Sequence, residues 1–395
     1  MTNMDTRVGV TYPNGFRASG VAAGQRNGDG PDLALVVNDG PAPAAAAVFT
    51  TNRFPAAPVL WSCHVMASGV TPLVVVLNAG GANACTGQAG FEQAAGTAAC
   101  AAEALGTVSA QVLVASTGLI GRLLAIDPLL AGVTMAASQL SADGGLDAAR
   151  AIMTTDTHPK TTCQLYDGWS VGGMAKGAGM IAPGMATLLV VVTTDAVTDN
   201  TTAHRALAAA AEQTFNRIDT DGCMSTNDTL ILLTSGASGV TPSEADLTAA
   251  VTAVCHDLAQ QCVGDAEGAS HEIAITVAGA TTDQAAVTVA RAIARSNLFK
   301  CAVFGNDPNW GRILAAAGTV PLDVAPFASD QVDVTINGVA VCRGGEVGEP
   351  RELVDMAAQR RVDVMVDLKA GDATATIYTN DLTYDYVKEN AEYST

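Results

Sequence analysis

Residues 187–194 read Thr-Leu-Leu-Val-Val-Val-Thr-Thr. The run shows no alternation of wet and dry positions, so a strand built from it must be covered on both faces. It is entered from residues 167–184, a glycine-rich passage with no apolar period of its own. Such a strand needs a sheet with a packed layer on each side. Aromatic residues make up only 4% of the 395 residues, so those layers are built from Ala, Val, Leu and Ile. Short apolar segments at 32–37, 46–49, 73–77, 111–115 and 229–233 read as further buried strands. Residues 91–105, 119–131 (interrupted at Pro128), 202–215, 243–261 and 283–297 read as helices, with Ser243 placed to cap the fourth. Farther along, 310–317 reads as a helix, and 272–278, 332–336, 362–368 and 373–378 read as strands. Lys369-Ala370-Gly371-Asp372 joins the last two strands as a hairpin. The order is not strictly βαβ. The expected class is therefore mixed α/β, layered sheets and helices, with a seam near 264–271 and a smaller C-terminal α/β domain over about 272–395.

Charge narrows the function. Twenty Lys and Arg stand against 39 Asp and Glu, a formal charge of −19, which argues against nucleic acid as a partner. Nine scattered cysteines without a C-x-x-C pair suggest neither a disulfide framework nor a zinc ribbon. They fit a reducing compartment, and the expectation is a cytoplasmic protein. Residues 1–12 lack the apolar core of a signal peptide, and no run of about 18 apolar residues predicts a membrane span.

Phosphate loops, the dinucleotide fingerprint, the G-x-S-x-G elbow and H-E-x-x-H are all absent. The five histidines, at 64, 158, 204, 256 and 271, are dispersed. Ser–His–Asp chemistry is left without a pointer. Four segments remain. In Lys176-Gly177-Ala178-Gly179-Met180-Ile181-Ala182-Pro183-Gly184-Met185-Ala186-Thr187 a glycine-rich loop delivers a threonine to the start of a buried strand. One reading is an internal nucleophile: the Thr187 hydroxyl attacks the Ala186 carbonyl, the chain is cut, and the freed α-amine serves as base. The other is an ordinary loop entering a strand. At Ala115-Ser116-Thr117-Gly118 a strand end can supply oxyanion donors, or Ser116 or Thr117 can cap a following helix. In residues 74–87 a strand is followed by Asn78-Ala79-Gly80-Gly81-Ala82-Asn83-Ala84-Cys85-Thr86-Gly87, which reads as a tight turn. In Asp307-Pro308-Asn309-Trp310-Gly311-Arg312 the polar residues bind substrate or, in the favoured reading, pin the turn.

Together these segments, with Ile152-Met153-Thr154-Thr155-Asp156-Thr157 and Ser225-Thr226-Asn227-Asp228-Thr229, resemble the ornithine acetyltransferase family, also called glutamate N-acetyltransferase, of arginine biosynthesis. The likeness runs from Gly15-Phe16-Arg17 to the C-terminus. It implies a self-cleaving enzyme with an N-terminal-nucleophile-like active-site strand, cut between Ala186 and Thr187 into an α chain (1–186) and a β chain (187–395) that stay together, commonly as α2β2. By resemblance Thr187 is the nucleophile, and Thr117 and Gly118 form the oxyanion hole. Substrate contacts are expected from Thr154, Lys176, Thr187, Glu267, Asn390 and Thr395. Lys176 is suited to the substrate α-carboxylate, and Glu267 to the side-chain ammonium of ornithine. The flank Asp265-Ala266-Glu267-Gly268-Ala269-Ser270-His271 departs from the family pattern, but the acid is kept. The implied reaction moves acetyl from N2-acetylornithine to glutamate through an acetyl-threonine, by a ping-pong mechanism and with no cofactor or metal. Some members also accept acetyl-CoA, and no residue pattern here decides for or against that donor. The rival enzyme class is an N-terminal-nucleophile aminopeptidase or amidase, in which water takes the acyl group.

Overall fold

The computed structural model describes residues 6–26, 28, 30–182 and 188–392. The chain divides into two units, one reaching Asn216 and resuming over Cys223–Asp265, the other made of Arg217–Gly222 and the chain from Ala266 onward. In chain order the first holds β1 (Phe16–Val21), β2 (Leu33–Asn38), β3 (Ala44–Phe49), α1 (Ala57–Ala67), β4 (Val74–Gly81), α2 (Gly87–Leu105), β5 (Val112–Leu119), α3 (Ile126–Ser138), α4 (Gly145–Ala151), β6 (Lys160–Leu165), β7 (Ser170–Lys176), β8 (Leu189–Thr194), α5 (Asn200–Gln213), β9 (Thr229–Thr234) and α6 (Glu244–Gly264).

The first unit has two sheets among the described residues, with strand orders β1-β2-β4-β5 and β3-β9-β8-β7-β6. Their inner faces meet: Val36, Leu77 and Leu113 of one sheet share a core with Met174, Leu189, Val191 and Ile231 of the other. On the outer face of the first sheet, Leu35, Val76 and Val114 pack with Ala98 and Ala101 of α2 and Leu129 and Val133 of α3. Helices α5 and α6 lie on the outer face of the second sheet. The result is four layers, α-β-β-α, and it accounts for the unbroken apolar run. Every residue of β8 is buried, because alternate side chains face the facing sheet and the helices.

The second unit holds β10 (Glu272–Ala280), α7 (Asp283–Ala294), α8 (Asn297–Phe304), α9 (Trp310–Ala317), β11 (Asp333–Ile336), β12 (Val339–Arg343), β13 (Glu346–Val347), β14 (Arg361–Asp367), β15 (Ala373–Asn380) and α10 (Tyr384–Glu392). Its sheet runs β13-β12-β11-β14-β10-β15, with Ile275 and Val277 packed against Val289 and Ile293 of α7.

Several expectations need correction. The hairpin of residues 362–378 does not form. Strand β10 lies between its two halves, parallel to β14 and antiparallel to β15. The connection therefore crosses two strand spacings, roughly 10 Å, and the Ala370 and Gly371 N–H groups donate to the Gly279 carbonyl of the inserted strand. The helix expected at 119–131 begins only at Ile126, so Pro128 falls in its first turn, where a missing N–H costs nothing. The helix expected at 283–297 ends at Ala294, because the Ser296 hydroxyl accepts the Phe299 N–H and starts α8. The glycine-rich passage contains β7, and of the turn expected over residues 78–87 the first four residues are still β4, the chain turning only after Gly81, with positive φ at Asn83 and Cys85. Among the described residues no helix is long and apolar enough to cross a membrane.

Candidate active site

Thr187 and the scissile Ala186, like Thr395, lie outside the described residues. What surrounds the entry to β8 is described. Strand β7 sets Lys176 opposite Leu189 of β8, and β9 sets Thr229 opposite the same residue on the other side. Leu188 is held from both directions: its N–H donates to Asp228 Oδ1 at 3.0 Å, and its carbonyl accepts the Thr229 N–H at 3.0 Å. The backbone of Leu188 is therefore held at both its N–H and its carbonyl.

Thr117 and Gly118 stand at the end of β5, which runs through Leu119 with no helix behind it; the capping alternative is wrong. In the parallel β4–β5 ladder Thr117 faces Ala79 and Gly118 faces Gly80. Gly118 has φ +126°, and a Cβ there would come 2.6 Å from the Gly80 carbonyl carbon. Backbone conformation and space both demand glycine. Thr117 is buried, and its Oγ1 accepts from Lys176 Nζ at 3.3 Å. The structure thus joins two of the expected residues 59 positions apart. Accepting from an ammonium leaves the threonine hydrogen free to donate elsewhere.

Behind this pair lies a buried polar network that sequence reasoning did not single out. Asn227 Nδ2 donates to the Ser116 carbonyl (2.8 Å) and to the Ala82 carbonyl (2.6 Å). Ser116 Oγ donates to Asn78 Oδ1 at 2.6 Å. The peptide that carries Thr117 is therefore located by side chains from β4 and from the approach to β9.

A second network sits under Lys176. Asp156 Oδ1 accepts Lys160 Nζ (2.6 Å) and the Gly177 N–H (2.8 Å), and its Oδ2 accepts the Thr154 N–H (2.9 Å). Lys160, fully buried, also reaches Asp265 Oδ2 at 2.5 Å. Asp156 thus ties the Thr154 backbone to the end of β7. Burial alone would raise its carboxyl, but the charges of Lys176 and Lys160 and the hydrogen bonds outweigh it and hold it at about 2. A carboxyl held below its unfolded value of 3.8 stabilises the fold above about pH 4, and that contribution is lost as pH falls through about 2. The shift is worth about 2 kcal/mol. Asp156→Asn should remove it, so thermal midpoints measured between about pH 4.5 and 2.5 should fall more steeply for the native chain than for the variant. Parallel slopes would refute the assignment.

The second unit contains Glu267 and Asn390, which meet: Asn390 Nδ2 donates to Glu267 Oε2 at 3.0 Å. Gly268 lets α10 come this close, since a Cβ there would lie 2.2 Å from the Tyr386 nitrogen. The Asp307–Arg312 string pins its turn, as favoured. Asn309 caps α9 by accepting the Arg312 N–H, Arg312 Nη1 donates to the Leu298 carbonyl, and Asp307 pairs with Arg351. Ser270, His271 and Asp381 also cluster, but serine and aspartate share the one ring nitrogen, Nδ1. A proton relay needs them on opposite nitrogens. Among the described residues no group of three or more His, Cys, Asp or Glu could hold a metal ion.

A model of the ArgJ family matches residues 17–395. The arginine biosynthesis bifunctional protein ArgJ of Streptomyces coelicolor is 58% identical over 98% of this chain and 99% of that protein. The protein of the same name from Thermobifida fusca is 56% identical over 98% of this chain and 100% of that protein. A chain in the crystal structure of ornithine acetyltransferase complexed with ornithine, from Mycobacterium tuberculosis, is 50% identical, with 47% of this chain and 98% of that chain covered and a TM-score of 0.44.

Proposed function

We propose, from the premise that the chain belongs to the ArgJ family and is an acyltransferase of arginine biosynthesis, that it moves acetyl from N2-acetylornithine to glutamate through an acetyl-Thr187 intermediate. The observation that carries this reading is the 3.3 Å contact between Lys176 and Thr117, with Gly118 beside it and Leu188 clamped at the entry to β8. In the proposed sequence Thr187, freed at its amino end by scission after Ala186, attacks the acetyl carbonyl. Thr117 and Gly118 hold the oxyanion, ornithine leaves, and the amine of glutamate takes the acetyl group. Thr154, Lys176 and Thr395 serve the amino-acid backbone of either substrate, and Glu267 and Asn390 the far end of ornithine. The products of scission, residues 1–186 and 187–395, remain associated as an α2β2 assembly in the cytoplasm. The word bifunctional in the relatives' names is consistent with acetyl-CoA as a second donor.

The test is the fate of the acetyl group. A positioned amine has an effective molarity of order 10⁵ M or more against about 55 M water. N-acetylornithine alone should give little acetate. Added glutamate should release ornithine and N-acetylglutamate in near-equal amounts, with parallel double-reciprocal lines. Acetate release that is equally fast without glutamate, and unchanged by it, would mean that water is the acceptor and the enzyme an amidase.

A further inference from the structure

Helix α10 spans nine residues and buries none of them. So short a helix is marginal by itself, and without a buried apolar face its place depends on polar contacts. Tyr384 meets Phe304 edge-on, but the firmer hold comes from the connection between β15 and α10, residues 381–383. Thr383 works in two directions with one hydroxyl. Its Oγ1 accepts the Tyr386 N–H at 3.0 Å, capping α10, and donates to the Gly268 carbonyl at 2.6 Å. Glu267 and Gly268 are the middle residues of a turn closed by the Ala269 N–H on the Ala266 carbonyl at 3.1 Å. The tip of the Glu267 turn is thus tied to the start of α10.

The exit of the same turn is tied to Asp381, which is buried. Its Oδ1 accepts the N–H groups of Ser270 and His271, each at 3.0 Å. Its Oδ2 accepts the Ser270 hydroxyl and lies 2.9 Å from His271 Nδ1. An asparagine would meet this set of donors with one oxygen instead of two. Glu267 and Asn390 therefore stand on two pieces of chain fastened by one connection, and the bond from Asn390 Nδ2 to Glu267 Oε2 at 3.0 Å closes the ring.

We propose that Asp381 and Thr383 are positioning residues that set selectivity for the ammonium-bearing substrate: they fix the Glu267 carboxylate beside Asn390 and so govern affinity for an ornithine-type side chain without touching it. This rests on the reading of Glu267 given above. A carboxylate binds an ammonium best when it is already in place. One carried on a loose turn must be ordered as the substrate arrives, and that cost is subtracted from binding. Glutamate has no ammonium at its far end, so its half of the reaction is an internal control.

The experiment measures kcat/KM separately for N2-acetylornithine and for glutamate, on the full-length protein as purified. In a ping-pong reaction each value reports its own half. Glu267→Gln sets the scale and should lower the N2-acetylornithine value by about 10- to 100-fold. Thr383→Val, which keeps the shape and loses the hydroxyl, and Asp381→Asn should each lower it by about 10-fold, mainly through KM, and leave the glutamate value within about threefold. Thr383→Ser should restore it. Combined with Glu267→Gln, either change should add little, because residues that act through one carboxylate are not additive. Losses below about threefold, equal losses for both substrates, or additive losses in the double variants overturn the proposal while leaving Glu267 in its role. If Asp381→Asn does not fold, the Thr383 pair decides. If Glu267→Gln itself leaves the N2-acetylornithine value unchanged, the reading of Glu267 falls, and this inference with it.

Discussion

Replacing Thr187 with alanine is expected to give one uncut chain with no measurable acetyl transfer. On the proposed mechanism two chemical events depend on the same hydroxyl: attack on the Ala186 carbonyl and attack on the acetyl carbonyl. Loss of a nucleophile in a covalent mechanism typically costs roughly 10⁶ in turnover, and here the α-amine that would act as base is never released either. Intact mass and an assay for N-acetylglutamate on the same preparation check both effects. Thr187→Ser keeps a hydroxyl and should cut slowly and recover part of the activity. A Thr187→Ala protein found as two fragments and turning over would place the nucleophile elsewhere.

Thr117→Ala should lower kcat by about 10²–10³ with little change in KM, because the lost donor acts on charge that develops only in the transition state. The contact with Lys176 sharpens the expectation. With its oxygen already accepting from the ammonium, the hydroxyl is oriented as a donor before substrate arrives, and alanine removes that orientation as well as the proton. Thr117→Ser should retain most of the rate. The measurement must use fully cut protein, since on the proposed mechanism the same site can assist scission. A drop in kcat below threefold would assign Thr117 to packing.

The layered class and most strands of the first unit were legible because burial on two faces leaves an unbroken apolar record, as in β8, β9 and the first half of β4. Strands without that record were missed. β6 reads Lys-Thr-Thr-Cys-Gln-Leu and is only partly buried, and β7 reads Ser-Val-Gly-Gly-Met-Ala-Lys, its glycines disguising a wholly buried strand as a loop. The false hairpin at β14 and β15 shows the limit of local reasoning: the sequence around residues 369–372 suits a turn, but nothing near it records that β10, some ninety residues earlier, takes the place between. In the site, Thr117 and Gly118 were offered by the strand-end pattern as one of two readings, and family likeness chose between them; the roles expected of Lys176, Glu267 and Asn390 came from likeness alone. Asp156, Asn227 and Asp228 were passed over although the strings containing them were noticed. Their signal was faint but present: charged or amide residues abutting apolar strands, where a polar side chain must find a buried partner.

The strand order of the second sheet, β3-β9-β8-β7-β6, bears on what a cut at residue 186 would leave behind. Strands β8 and β9 lie after the cut, and β3, β7 and β6 before it. The later pair is therefore wedged inside the earlier three, hydrogen-bonded along both of its edges. The two fragments would be woven into one sheet, with no face along which they could slide apart. Pulling them apart would expose both edges of the wedged pair and the core on either side of it, so dissociation would amount to unfolding the first unit. On dilution the cut protein should behave as a single kinetic species, and fragments from differently labelled molecules should not exchange while the fold is intact. A joint of this kind would let a chain cut as proposed surrender one peptide bond without surrendering its shape.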